Sequence, residues 1–394
     1  MSECLTAWKA SKRECGIVDL AISALALAIF SRTQRDPVAA EEAVTGYGRL
    51  LHVVQKQMTQ AEIFAGDANP CDEFILTVVL MAWYETTVHQ PMNLKGGQWP
   101  TSLHSWSHHD GAMAILKARY DRLGDNDASS IMKQSRRGLL RSALLRNISL
   151  PKWVRNGAPF GEHGLDLEFD RILVRVVNLR HAFKKLKHDE SIEVEAIFNE
   201  AKELDEACHW WVVQSPSEWR YESHIIPDFW SRTDFYSSSV YICDRNSYAA
   251  IWVQYFAVRM LINSTLLGLV QMKHPPSLQN GTSTDDPECS EYRKQLETMT
   301  KNLVSTVPFA LGRFSANKTE GPDLPLTVTL NTNTDKTIPP ALALPIIWPL
   351  SVISNLDGVK CSHRLWIKAK LAHLGRVLGD GALECAGTDE WTHT

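Results

Sequence analysis

The sequence has no pair of cysteines at the spacing that holds a zinc ion or forms a redox dithiol. Its eight cysteines are scattered singly along 394 residues, so neither a zinc cluster nor a thioredoxin-like motif is present. Single cysteines in a chain without a secretory signal are typical of a reducing compartment.

Nucleotide-binding and catalytic motifs are also missing. The run Gly46-Tyr47-Gly48 lacks the third glycine of a dinucleotide fingerprint, and there is no Walker loop, nucleophile elbow or kinase set. We therefore expect no cofactor and nominate no catalytic residue. An apolar pocket that acts by shape and hydrogen bonding would leave no motif, so an enzyme stays open although the sequence does not favour one.

The chain has no excess of positive charge, since its formal net charge is −4. Proteins that grip phosphates usually carry clustered Lys and Arg. The basic clusters are Arg136-Arg137 and residues 184–188, and we interpret both as solvated helix faces. The sequence thus predicts no direct binding of nucleic acid.

The longest early apolar run, residues 17–30, is shorter than the roughly 20 residues that span a bilayer. It has neither a basic, signal-like entry nor a cleavage site. A buried core helix explains it better, and we expect no membrane contact.

Helical periodicity dominates what is present. Asp36-Pro37 is a strong helix start, with an N-cap Asp and Pro at the first helical position. Residues 74–83 are apolar nearly all round and predict a central helix, and residues 241–272 form the longest apolar helical tract. The prediction is an all-α fold.

The predicted organisation is a large multi-helix domain of two helical lobes, residues 1–156 and 157–394, in one continuous domain. Polar, Pro- and Gly-rich stretches predict exposed loops near 274–290 and 321–340. Alternation at residues 326–330 would allow a short strand in the second loop.

Histidines and aromatics supply the candidate chemistry. His104 and His108 stand four residues apart and would share a helix face, but a third metal ligand is missing, so we expect no metal site. Aromatic residues concentrate between positions 210 and 252, where they either line a pocket or pack helices together; packing is the favoured reading.

Several short fragments, taken in order, resemble one family. Residues 79–85 resemble its "ALLLxxYE" helix, residues 108–119 its "H-x-x-G-A…LL-x-x-R" signature, and residues 347–367 its "WPL…R-x-W-I" ending. Residues 249–259 are similar to "A-x-x-W-N-x-Y-R-x-x-R", with Gln254 and Phe256 where Asn and Arg are usual. Further similar fragments are residues 24–35, 46–50, 150–153 and 379–386. The family is the fungal-specific regulatory region (middle homology region) that follows the zinc binuclear cluster, Zn2Cys6, in fungal transcription factors.

The resemblance implies a nuclear regulator of transcription in a secondary-metabolite or nutrient pathway. It would act through contacts with other regulators or with a second copy of itself, and not by direct binding of DNA. A small-molecule effector would fit the same role. No nuclear localisation run is present, so the cytoplasm stays open. The positions that we nominate as pocket or interface are His108, Trp211, Trp230, Tyr241, Trp252, Arg259 and Trp348.

The zinc cluster that normally opens such proteins is absent from this sequence. A naturally short relative, a truncated gene model and a member turned to another task all remain open. The alternative function is therefore a repurposed scaffold whose apolar pocket binds or transforms a small molecule in a biosynthetic pathway.

Overall fold

The computed structural model describes residues 16–58, 68–89, 106–122, 128–186, 193–226, 233–273, 287–317, 327–330, 338–389 and 391. The described chain is mostly helical, which confirms the predicted helical character. It also contains four short strands, which an all-α prediction leaves out.

The helices and strands follow one another along the chain with short connections between many of them. They are α1 Ile17–Gln34, α2 Pro37–Met58, α3 Ala68–Val88, α4 Ser107–Tyr120, α5 Ser130–Arg146, α6 Gly164–Leu186, α7 Val194–Val213, β1 Tyr221–Ile225, β2 Ser239–Cys243, α8 Asn246–Lys273, α9 Pro287–Ala310, β3 Phe314–Asn317, β4 Thr327–Leu330, α10 Pro340–Ile353, α11 Cys361–Leu378 and α12 Gly381–Glu384.

The chain forms two compact units. The first contains the described residues up to Arg146, residues 151–163 and those from Ala372 onward; the second contains residues 147–150 and Gly164–Leu371. The predicted lobes differ from these units chiefly at the C-terminal end, where the sequence assigned residues 372–394 to the second lobe. The two lobes as folding units remain a prediction.

In the first unit, α3 is central, as its apolar sequence predicts: it packs against α1, α4, α5 and α12. Helix α2 begins at Pro37, and Asp36 caps it by accepting hydrogen bonds from the backbone N–H groups of Val38 (2.9 Å) and Ala39 (3.2 Å). The sequence-based start signal is thereby confirmed.

The C-terminal segment belongs to the interior of this first unit. Arg32 donates to the carboxylate of Glu384 (2.7 Å) and to the carbonyl oxygen of His89 (3.0 Å). Gly381 lies so close that a Cβ there would stand 2.0 Å from the His89 oxygen. Trp391 is almost fully buried. The last described residues therefore complete the core that the first helices begin.

In the second unit, α8 is the central element and is buried along nearly its whole length, because it packs against α6, α7, α9 and α10. The predicted tract 241–272 begins too early, since residues up to Cys243 form β2 and the helix starts at Asn246. Helices α6 and α7, which are consecutive in the chain, also pack together.

The strands form two antiparallel pairs. Tyr221 of β1 faces Cys243 of β2, and Phe314 of β3 faces Leu330 of β4. Strand β4 lies inside the predicted loop 321–340, where alternation had allowed a strand, and α9 begins inside the predicted loop 274–290. The remaining residues of both loops lie largely outside the described part of the chain.

One expectation about polarity is corrected. Arg136 is fully buried rather than solvated, and its guanidinium donates to the carbonyl oxygens of Val154 (2.8 Å) and Arg155 (3.3 Å). Backbone carbonyls that accept from Arg136 make the burial of its charge tolerable.

By length and composition, α1 and α8 are long and apolar enough to cross a membrane. Helix α8 is mostly buried in protein, and core helices pass the same test, so this is weak evidence for a span.

Candidate functional site

Three polar side chains from three helices meet in the first unit. Tyr47 of α2, Glu85 of α3 and His108 of α4 share one carboxylate oxygen: the Tyr47 hydroxyl donates to Glu85 Oε1 (3.0 Å), and His108 Nε2 lies 2.8 Å from the same atom. The Tyr47 hydroxyl and His108 Nε2 are 3.2 Å apart. We call Tyr47, Glu85 and His108 the polar triad.

Packing holds the triad in place. The ring of Tyr84 stacks on Tyr47 with centroids 4.0 Å apart and planes only 10° from parallel. Tyr84 directly precedes Glu85 on α3. The stacking of Tyr84 on Tyr47 therefore helps to position the Glu85 carboxylate along the axis of α2. The three groups come from three different helices and meet through the packing of those helices, not through any local motif.

Burial keeps the phenol of Tyr47 in its protonated form. It raises the pKa of Tyr47 well above its ordinary value, and the nearby charge and hydrogen bond of Glu85 raise it further. The phenol therefore stays protonated and donates to the carboxylate. The side chains of His108 and Glu85 keep 14% and 33% of their surface exposed, so solvent reaches both of them. Chemically, the triad can hold and pass a proton between an imidazole and a carboxylate.

The first turn of α4 carries a second polar group beside His108. Arg146 of α5 forms an ion pair with Asp110 (2.6 Å) and lies over the ring of Trp106, while His109 meets Trp106 edge to face. Burial, followed by the positive charge of Arg146, lowers the pKa of His109. His109 is thus a neutral packing residue at neutral pH, which leaves His108 as the polar histidine of α4.

The aromatic residues nominated from the sequence lie in the second unit and pack against one another. Trp211 stacks on Tyr255 with centroids 6.0 Å apart, and Trp252 meets the same ring edge to face at 5.4 Å. The indole N–H of Trp211 donates to the carbonyl oxygen of Leu165 (3.0 Å), and that of Trp252 to Trp219 (2.6 Å). Both indoles are therefore satisfied within the protein.

Tyr241 stands at the edge of this cluster on β2. Its ring stacks on Tyr221 of β1 at 4.4 Å, and its hydroxyl donates to Asn302 Oδ1 of α9 (2.9 Å). Tyr221 in turn meets Trp252 at 5.0 Å. The structure thereby connects Tyr241 to Trp252 through one intervening ring.

Arg259 belongs to the same neighbourhood. It binds Asp205 of α7 with two hydrogen bonds, of 2.9 and 2.8 Å, and Asn263 also donates to Asp205 (3.2 Å). Its guanidinium lies 6.0 Å from the Tyr255 ring. Nearby, burial raises the pKa of the Cys208 thiol to about 12, so this cysteine is a poor nucleophile. The pair of Arg259 and Asp205 fastens α7 to α8.

The remaining nominated positions stand apart. Trp348 is buried in α10, and Trp230, like His104, lies outside the described residues. Within the part of the chain that the structure describes, no group of three or more His, Cys, Asp or Glu side chains is arranged to hold a metal ion. The structure thus brings Trp211, Tyr241, Trp252 and Arg259 together, and their role as pocket or interface remains a prediction.

Sequence reasoning nominated His108 but missed its two partners. Tyr47 and Glu85 lie within fragments that carried the family resemblance, yet neither was singled out. The available signal was Glu85 itself, a carboxylate that directly follows the long apolar run of α3. Comparison with protein-family models, with curated proteins and with solved structures found no match to this chain.

Proposed function

We propose that this chain is a fungal transcription regulator that acts through contacts between its helical region and other proteins, without a DNA-binding element of its own. The proposal begins with the resemblance described above. As the resemblance implies, the proposed regulator acts in the nucleus and controls a secondary-metabolite or nutrient pathway.

One observation carries the choice of a regulator over an enzyme. Trp211, Trp252 and Arg259, which would have lined a substrate pocket, direct their polar groups to protein partners within the second unit. Their hydrogen-bonding capacity is used in holding helices together. Side chains engaged in this way favour a helical scaffold that binds other proteins through its surface. They argue against a pocket that surrounds a substrate.

A reporter assay tests the proposal. The full chain is fused to an unrelated DNA-binding domain in a fungal host that carries a reporter gene with the matching operator. We expect reporter expression to differ from that given by the DNA-binding domain alone. A truncated chain that fails to fold serves as the control for non-specific effects of the fusion. Reporter activity equal to that of the DNA-binding domain alone, with the fusion folded and nuclear, would contradict the proposal.

The polar triad favours a second candidate function, in which the protein binds a small molecule as an effector or substrate. A carboxylate shared by a phenol and an imidazole, with partial access to solvent, suits a ligand that exchanges a proton or a hydrogen bond. In this second candidate the fold is the same, and the polar triad serves to bind the small molecule.

Thermal shift against pathway metabolites tests this second candidate. A ligand at about 100 times its Kd stabilises the native state by about 2.7 kcal/mol. Glu85→Gln removes the charge of the triad and should abolish the shift. Asp110→Asn is the matched control, because Asp110 is an exposed carboxylate whose ion pair with Arg146 lies outside the triad. A shift that survives in Glu85→Gln would place the ligand elsewhere and remove the argument from the triad.

A further inference from the structure

The imidazole of His108 uses only one of its two ring nitrogens within the polar triad. Nε2 lies 2.8 Å from Glu85 Oε1 and 3.2 Å from the Tyr47 hydroxyl. Nδ1 has no hydrogen-bond partner among the residues that the structure describes, and the His108 side chain keeps 14% of its surface exposed. The triad thus holds one face of the ring and leaves the other nitrogen unused.

Glu85 decides which nitrogen of His108 carries the proton. The Tyr47 hydroxyl donates to Glu85 Oε1 (3.0 Å), so this oxygen is an acceptor that two groups share. An ionised carboxylate has no hydrogen to give, and Nε2 must therefore be the donor in its own contact with Oε1. In the neutral ring the lone pair then lies on Nδ1. A carboxylate that fixes the tautomer in this way prepares the opposite nitrogen to act as a base.

Exposed apolar side chains flank the triad. Val44 precedes Tyr47 by three residues on α2, and Val88 follows Glu85 by three residues on α3. Each valine therefore lies on the same helix face as its triad residue, with Cβ atoms about 5–6 Å apart. The two valines retain 63% and 41% of their surface. A small molecule can rest its hydrocarbon part on these side chains while a polar group meets the triad.

We propose that His108 is the general base of a hydrolytic site whose substrate is a small, uncharged ester with an alkyl group. The alkyl group fits the exposed valines, and the negative charge of Glu85 disfavours an anionic substrate. This inference rests on the second candidate function, in which the triad binds a small molecule, and it adds the reaction that the triad performs.

The reaction needs only water as a co-reactant. His108 Nδ1 takes a proton from a water molecule as the water oxygen bonds to the carbonyl carbon of the ester. The tetrahedral intermediate then breaks its bond to the alcohol oxygen, which receives the proton back from Nδ1. The products are a carboxylic acid and an alcohol. Glu85 stays ionised throughout and stabilises the imidazolium that exists between the two proton transfers.

An ester-hydrolysis assay with the full chain tests the proposal. The probe is para-nitrophenyl butyrate, an uncharged ester whose hydrolysis releases a coloured phenolate. The wild-type chain should turn over repeatedly, and His108→Gln should lower kcat/KM at least about 100-fold, the lower end of what general-base catalysis contributes. Glu85→Gln keeps the imidazole but removes the charge that stabilises its protonated form, and it should lower kcat at least about tenfold.

His209 provides the matched control for the general reactivity of exposed histidines with this probe. Its side chain is 62% exposed and lies 3.8 Å from Asp205, beyond hydrogen-bond distance. His209→Gln should therefore leave the rate of hydrolysis unchanged. Circular dichroism checks that each variant is folded.

Nitrogen-15 chemical shifts of histidine-labelled protein test the tautomer without any substrate. The signals that vanish in His108→Gln belong to His108, and they should show a protonated Nε2 and an unprotonated Nδ1. Glu85→Gln should weaken this preference, which a purely structural role of Glu85 would not do.

Two results would overturn the proposal. One is a wild-type chain that hydrolyses the ester no faster than His108→Gln, and the other is a His108 ring whose proton lies on Nδ1. A thermal shift by pathway metabolites that is lost in Glu85→Gln would, in either case, leave the second candidate function standing without this reaction. The absence of both hydrolysis and thermal shift would remove the inference and the second candidate together.

Discussion

Gly375 of α11 occupies a position where the structure and helix propensity predict opposite effects of the same substitution. In an exposed helix, Gly→Ala stabilises by about 0.8–1 kcal/mol, because alanine loses less conformational freedom. At Gly375, however, a Cβ would lie 2.5 Å from the backbone nitrogen of Glu384 and 2.8 Å from the carbonyl oxygen of Asp380. Both contacts are with backbone, so no side chain can rotate away.

The magnitude follows from these two effects. Overpacking of a well-filled site costs typically about 1–3 kcal/mol. Contacts below 3.0 Å with the backbone of α12 place Gly375→Ala at the upper end of that range, which outweighs the gain in propensity. We expect a net loss of about 2 kcal/mol in the free energy of unfolding, measured by urea denaturation with far-ultraviolet circular dichroism.

Gly138 of α5 provides the matched control. A Cβ there meets nothing within 4 Å, so Gly138→Ala should stabilise the protein by up to about 1 kcal/mol. The reasoning would be refuted if Gly375→Ala proved as stable as wild type while Gly138→Ala showed its gain. Such a result would mean that α12 moves aside at little cost.

Two further predictions concern buried polar groups. His363 is buried, stacks on Tyr236 at 4.3 Å, and has no hydrogen-bond partner for its ring nitrogens among the described residues, so His363→Phe should stabilise the fold by about 1 kcal/mol at pH 7. Burial, and then the charge of Lys360, lowers the pKa of His363 below 6.5. The unfolded chain therefore takes up the proton first, stability is lost as the pH falls below about 6.5, and His363→Phe should flatten that part of the pH profile of the melting temperature. The carboxylate of Glu162 is fully buried and is bound by Arg137 at 2.6 Å and by Lys133 at 3.2 Å, so Arg137→Met removes the closer of two cations and should cost about 2 kcal/mol in urea denaturation. The exposed pair of Arg171 and Glu168 is the control, and Arg171→Met should change stability by less than about 0.5 kcal/mol; equal effects of the two substitutions would contradict the argument.

Much of the helical framework was predictable because its signals are local. Asp36-Pro37 marks a helix start by its own chemistry, and the unbroken apolar character of α3 requires a central position. The segment Tyr241–Cys243 was misassigned to a helix because it is apolar and runs directly into the apolar helix α8. Hydrophobicity alone does not separate a short buried strand from the first turn of a helix.

The remaining errors concern contacts between residues distant in sequence. Arg136 looked solvated because its neighbour Arg137 is charged, but it shares a face with buried Met132 and Leu139. The polar triad joins three helices, so no spacing within one segment could reveal it.

The place of the C-terminal residues in the first unit has a consequence for synthesis. Arg32 and Glu384 are neighbours in space, but about 350 residues separate them on the nascent chain. At roughly 5–20 residues per second, the ribosome needs on the order of 20–70 s to make the second after the first. During that interval α1 and α3 are exposed without the segment that finishes their core, while the second unit is already being completed. We therefore expect the N-terminal helices to depend on chaperones during translation, and the second unit, although later in the chain, to be the first to reach its native state.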